Sequence, residues 1–305
     1  MNPLEAAILK TVAYFDIFSF PLTSWEIWKW LFGNKANFLE VNKALEESGI
    51  LKNKLGFGNG FYFLAGRQEN VSLRQERYEL ALNKFKKTIN FIKRLVRLPF
   101  INFVAVCNTL GLMNARDESD IDLFVIVKPK HIWTVRLLAA GYAQLRKLRP
   151  VGQNRKNKFC LSFYITDDAL NLQNLLYPQD PYFIYWLATL IPVYDPNNLK
   201  QKLWQENMWL QKFLPNAEFR EISVQREIQS SSLSKFLEKI VGSQGFEKFA
   251  EKVEKKWLPE NLKKLANQDT RVVLNERILK FHDNDRRLEF AKAFDSRLVN
   301  LGLNL

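Results

Sequence analysis

The stretch "CNTLGLMNARDESDIDLFVIVKP", Cys107 to Pro129, decides how the chain is read. It closes on "IDLFVIV", an apolar run that reads as a buried β-strand, with Asp120 and Asp122 at its mouth. Side chains i and i+2 share one face of a strand. Asp120 and Asp122 are therefore expected to point the same way, with Ile121 turned into the core. Two adjacent carboxylates repel and raise each other's pKa unless a cation lies between them. The economical partner is a hard divalent ion, Mg²⁺ or Mn²⁺, which takes oxygen ligands. The plainer alternative is a turn followed by a polar strand edge.

Working outward, "INFVAVC" before the stretch is a continuous apolar run of the kind a fully buried strand shows. After it come a helical pattern, "HIWTVRLLAAGYAQLRKL", and a third strand, "KFCLSFYI". That strand ends at Thr166-Asp167-Asp168, which reads as an N-cap for a helix over "DALNLQNLL". Residues 100–178 thus form an α/β core. Residues 1–70 read as helix, helix, helix, hairpin, with Thr23 or Ser24 and Glu26 near capping-box positions, Gly49 stopping the third helix, and Gly56, Gly58 and Gly60 in the hairpin. Residues 71–99 are a connecting basic helix with Tyr78, Leu82, Phe85, Ile89, Ile92 and Leu95 as its apolar stripe and Pro99 at its end. Residues 179–305 read as helical apart from a short run at "RVVL". Within them, "YFIYWLATLIPVY" reads as a buried helix, too short and too interrupted by Pro192 to span a bilayer. The serines of "QSSSLS" (229–234) read as a loop and N-cap before a last, Lys-rich helix.

The chain has 305 residues, with 45 Lys+Arg against 32 Asp+Glu, a formal net charge of +13. That balance favours anionic partners. Cys107 and Cys160 sit in apolar runs and read as reduced, buried thiols of a cytoplasmic protein. Glu5 and a helical pattern follow the first residues directly, so no signal peptide and no membrane association are expected.

A small-residue pair, ten residues, then Asp-x-Asp inside an apolar strand resembles the nucleotidyltransferase superfamily typified by DNA polymerase beta. Within it, the chain is most similar to the minimal, kanamycin-nucleotidyltransferase-like members. Here the pair is Asn108-Thr109, and the motif ends Ser119-Asp120-Ile121-Asp122-Leu123. Strand, loop, strand, helix, strand is also that family's order, and the helix-rich start resembles a winged helix. The resemblance implies an α+β protein: a small mixed-sheet nucleotidyltransferase core flanked by an N-terminal winged helix and a C-terminal helical domain. It implies Mg²⁺ (or Mn²⁺) on Asp120 and Asp122 as metal-binding and catalytic residues. It implies a nucleoside triphosphate as substrate, with its phosphates against Asn108, Thr109 and Ser119 near a helix N-terminus.

The chain departs from the pattern in three places. Asn108 stands where the family has Gly, although Asn tolerates left-handed dihedrals. Leu112 and Met113 stand where many minimal members have Arg-Gly. "KFCLSFYI" carries no acid where a third carboxylate is usual, leaving Ser162 mid-strand and Asp167 and Asp168 only at its end. Two functions follow: Mg²⁺-dependent transfer of a nucleoside monophosphate to an acceptor such as RNA, a protein or a small molecule, or a catalytically degenerate fold that senses nucleotide. Specific DNA binding is not expected, since the third helix carries Glu40, Glu46 and Glu47 against Lys43 alone. "QLRKLRPVGQNRKNK" (144–158) reads either as a triphosphate or RNA contact or as a solvated loop. "KFHDNDRR" (280–287) reads as a polar helix cap rather than a metal site, His131 as an ordinary helix-start residue, and Trp209 and Phe213 as packing.

Overall fold

The computed structural model describes residues 1–152, 154–219, 221, 226–229 and 232–304. The chain opens with α1 (Pro3–Asp16), α2 (Ser24–Lys29) and α3 (Phe38–Glu47). Each starts with a capping box, closed by Asn2 and Glu5, Thr23 and Glu26, and Asn37 and Glu40. α3 ends just before Gly49, as expected, but another helix starts there. The Ser48 hydroxyl accepts the Leu51 N–H, so a short α4 (Gly49–Lys54) starts where α3 stops. β1 (Leu55–Gly58) and β2 (Phe61–Leu64) form a hairpin whose turn residues, Asn59 and Gly60, have φ of 51° and 82°. Two left-handed residues in a two-residue loop match the twist of the strands.

The long helix α5 (Glu69–Leu95) follows. Its inward face runs Ala81, Lys84, Phe85, Thr88, Ile92 and Leu95. Tyr78, expected in the stripe, is 48% exposed, while Lys84 takes an inward position that an apolar count passes over.

Next come β3 (Ile101–Val106), a single turn of helix α6 (Asn108–Gly111), β4 (Ile121–Val127), α7 (Ile132–Leu145) and β5 (Phe159–Thr166), in the expected order. Gly111 is required by close approach: a Cβ there would lie 3.2 Å from the Thr189 carbonyl oxygen and 3.3 Å from that of Val106. No α-helix follows Thr166. Asp168 accepts the Thr166 hydroxyl and Asp167 accepts from Asn102, so both carboxylates bind locally, and only a 3₁₀ turn at Gln173–Leu175 appears.

The run "YFIYWLATLIPVY" divides into α8 (Pro181–Ala188) and β6 (Ile191–Tyr194). β6 is an edge strand, where Pro192 is tolerated. Beyond it lie α9 (Leu199–Glu206), α10 (Ser232–Val241), α11 (Gln244–Trp257), α12 (Glu260–Leu265), β7 (Val272–Leu274), β8 (Ile278–Phe281) and α13 (Arg287–Asn300). The region is therefore not a helical appendage. β6, β7 and β8 all join one six-stranded mixed sheet of order β6-β3-β4-β5-β8-β7. The expected N-cap serines Ser230 and Ser231 lie outside the described residues, and the helix after them, α10, is not the last.

Two hydrophobic cores lie on the two faces of the sheet. One face, with Phe103, Phe124, Phe163 and Ile165, packs with α1, α8 and α13 and is continuous with the core of residues 1–70. The other, with Val104, Leu123, Val125 and Tyr164, packs with α5, α7 and α11. Glu247 of α11 accepts the Trp133 and Thr134 N–H groups and so caps α7 across the interface. Tyr14 stacks on Tyr185 with ring centroids 4.0 Å apart and meets Phe294 edge-on. Asp16, buried, receives Arg67 and Arg297. Trp209 is buried and Phe213 packs against the same core. Among the described residues no helix is long and apolar enough to cross a membrane.

Because residues 1–70 share their core with α13, the chain should unfold in one transition. Phe294→Ala removes a fully buried ring at that junction and should cost about 3–5 kcal/mol. Denaturant melts followed by tryptophan fluorescence and by far-UV circular dichroism should coincide and shift together. Separate transitions would contradict the shared core.

Candidate functional site

β4 and β5 run parallel, with Ile121 opposite Phe159 and Asp122 opposite Cys160. By the next pairings β4 has advanced two residues, to Phe124, and β5 three, to Phe163. The extra residue is a β-bulge at Leu161–Ser162, of the kind found beside functional sites. Leu161 packs into the α7-side core, whereas Cys160, Ser162, Asp120 and Asp122 all line one cavity of about 640 Å³.

Asp120 and Asp122 lie on one face, as the alternation required, and Ile121 is fully buried behind them. One ligand atom each from Asp120, Asp122 and Cys160 lies within 4.8 Å of the others. Asp122 is half-buried, and that burial, followed by the charge of Asp120, raises its carboxyl to about 6; Asn108 and Cys160 oppose the rise through hydrogen bonds. Arg155, from the basic loop after α7, reaches Asp120 at 3.3 Å with its own side chain largely in solvent. Lys156 pairs with Asp117 at 2.6 Å. The basic loop is thus a partner of the acidic one, and only part of its charge is solvated.

Asn108 adopts φ 54°, the left-handed conformation that its residue type tolerates. Its side-chain oxygen accepts the Tyr182 hydroxyl at 3.0 Å, so Asn108 links α8 to Asp122. Thr109 and Ser119, expected beside Asn108, do not line the cavity. Alternation turns Ser119 to the opposite side from Asp120. There the buried Lys84 ammonium donates to the Asp117 carbonyl at 3.0 Å and to the Ser119 hydroxyl at 3.2 Å, anchoring the loop that presents the acids. The helix turn α6, expected to point at phosphates, spans only four residues.

The cavity's opposite wall was not foreseen. β8 pairs antiparallel with β5 and brings His282 to the site. A His282 ring nitrogen lies 3.0 Å from the Ser162 hydroxyl, which lies 3.2 Å from Cys160 Sγ. Burial, and then Lys280, lowers His282 to about 3, which favours the neutral imidazole. Asp285 is not simply a helix cap. It accepts the Arg287 N–H but also pairs with Lys280 at 3.3 Å and with the Arg287 guanidinium at 2.7 Å, and Arg287 reaches Asp180 at 3.1 Å. Burial would raise Asp285, but Arg287 and Lys280 outweigh it and bring it to about 2. Two cations and two anions close this network, which joins β8, α8 and α13. His131 stacks on Phe100 at the start of α7, as an ordinary packed residue.

Asp120, Asp122 and Cys160 could hold a divalent ion. Compared with protein-family models, curated proteins and solved structures, the chain has no match.

The site carries a pH signature. Folded Asp122 keeps its proton up to about pH 6, whereas an unfolded aspartate releases it near ~3.9. The folded state binds more protons between those values, so its stability falls as pH rises through that window and stays lower above it. Asp122→Asn should therefore stabilise the metal-free protein at pH 7 by about 1–3 kcal/mol and leave it nearly unchanged below pH 4. Denaturant melts at both pH values check this. Equal destabilisation at both would mean that the pair is a structural cap.

Proposed function

We propose that the chain is a nucleotidyltransferase-like protein. On this reading it binds a nucleoside triphosphate at Asp120 and Asp122; an acceptor hydroxyl loses its proton to solvent and attacks the α-phosphorus, the bond to the β-phosphate breaks and pyrophosphate leaves, so that the nucleoside monophosphate passes to the acceptor. The observation that carries it is the pair itself, two carboxylates on one face at the mouth of a central strand, with Arg155 their one ion-pair partner among the described residues. Burial, and then the charge of Asp120, raises the carboxyl of Asp122 despite Arg155, and a dication would favour its ionised form. Asp120 and Asp122 would hold Mg²⁺ or Mn²⁺, which when bound neutralises phosphate charge and activates the attacking oxygen. Asn108 orients Asp122, Lys84 fixes the acidic loop, and Arg155, exposed enough to exchange Asp120 for a phosphate oxygen, supplies the second positive charge. The strand order from β3 to β5 and the helix-rich start support the same family, with residues 1–70 as its winged helix.

Cys160 favours a second reading. It occupies the place beside Asp122 where a proton-accepting carboxylate is wanted. Burial, and then Asp122, pushes its thiol above the ordinary range, so it is not a base at neutral pH. On this reading the protein binds nucleotide without turning it over and acts as a nucleotide sensor or regulatory module.

Thermal melts with each of the four triphosphates, with and without Mg²⁺ or Mn²⁺, test both readings. Stabilisation should need metal and nucleotide together and reach about 2.7 kcal/mol at a hundredfold excess over the dissociation constant. No response to any combination would sink both. Transfer of label from a triphosphate to RNA, protein or small-molecule acceptors then separates them. If the enzyme reading holds, Cys160→Asp should raise transfer on the order of 10²-fold by restoring a proton acceptor. Metal-dependent nucleotide binding with no transfer by either form would leave the sensor reading.

A further inference from the structure

The cavity does not end at the carboxylates. β5 and β8 are paired from Ile165 and Ile278 to Phe163 and Lys280 and then part. Through the gap the cavity reaches the opposite face of the sheet, where Arg136 and Arg149 line it together with Leu161, Leu258 and Leu262. Arg136 is 6% exposed. Its guanidinium lies over the Phe281 ring at 4.9 Å and reaches Glu254 only at 3.9 Å. Its Nε has no hydrogen-bond partner among the described residues, nor does the hydroxyl of the fully buried Tyr164, which interacts electrostatically with Arg136 and Arg149. Two guanidiniums thus share one distant carboxylate, Glu254.

A buried donor left unpaired is costly, and a guanidinium is built to take a carboxylate or phosphate through paired N–H groups. The apolar side of this chamber offers nothing to a purely polar ion. We propose that this half of the cavity is a second ligand site, for the anionic end of an amphipathic small molecule. Its carboxylate or phosphate monoester is held by Arg136 and Arg149, and its apolar body lies on Leu161, Leu258 and Leu262. The site stands on these contacts alone. It does not rest on the reading of Asp120 and Asp122.

Titration calorimetry on the full chain, without nucleotide or divalent metal, tests it with octyl phosphate and octanoate against 1-octanol, octylamine and inorganic phosphate. At least one anionic amphiphile should bind, and should bind more tightly than all three controls. Preference for octyl phosphate assigns a phosphate, and preference for octanoate assigns a carboxylate. Arg149 is exposed, so Arg149→Gln should fold as the wild type does and weaken binding at least tenfold. Arg136→Gln should abolish binding, and Glu254→Gln, which removes the competing carboxylate, should tighten it. Should Arg136→Gln fail to fold, the other two variants decide. Asp122→Asn should bind the amphiphile as the wild type does, even if nucleotide binding is lost or was never present. Binding of octanol or inorganic phosphate as tight as that of octyl phosphate overturns the proposal. So does unchanged affinity in Arg149→Gln, or loss of affinity in Asp122→Asn.

Discussion

The parallel pairing of β4 with β5, and the one extra residue that β5 carries, is the constraint from which the site follows. Pairing Asp122 with Cys160 sets the acids beside a thiol. Alternation puts Cys160 and Ser162 on the acids' side and Leu161 in the opposite core, and the bulge then places Phe163 on the same side as Ser162. A regular strand would have put every second residue of β5 on the acidic face without interruption. The bulge also adds local twist, and β5 and β8 separate just beyond it. The acids follow from alternation in β4, and the parting of β5 from β8 lies beside the bulge in β5.

Charge is arranged around that constraint in two different ways. At the Asp180–Asp285–Lys280–Arg287 network the charges balance and are hydrogen-bonded to one another, which is how a protein keeps buried ions without excess cost. At Asp120 and Asp122 the balance is left open, with one exposed arginine facing two acids. At Arg136 and Arg149 it is open in the opposite sense. A closed network makes a joint between elements; an open one leaves free energy for something else to collect on binding.

The sequence carried the centre of this picture well and its far wall poorly. Asp120, Ile121 and Asp122 could be assigned to faces because strand alternation is a local rule, and Asn108 could be assigned a left-handed turn because its residue type permits one. Ser119 was named from the motif Ser119-Asp120-Ile121-Asp122-Leu123, and its contact with Lys84 could not be read from sequence because Lys84 lies 35 residues away on α5. β6 was hidden because a short apolar run does not distinguish helix from strand. β8 was hidden by Lys280, a buried ammonium in the middle of "ILKF" whose partners, Thr270 and Asp285, are set by the local fold. His282 reaches Ser162 across 120 positions of sequence, and no periodicity encodes a register that distant.

The core shared by the two ends of the described chain also bears on how the protein is made. Asp16 takes its ion pair from Arg297, 281 residues later, and Lys54 donates to the Leu301 carbonyl, 247 residues later. α2, α3, α4 and β2 cover much of α1 early, but the part where Tyr14 meets Phe294 is closed only when α13 emerges. Long-range closure of this kind slows folding and extends the time during which apolar surface can meet other chains. For this protein, the interval between the first helix and the thirteenth is when aggregation competes most strongly with folding.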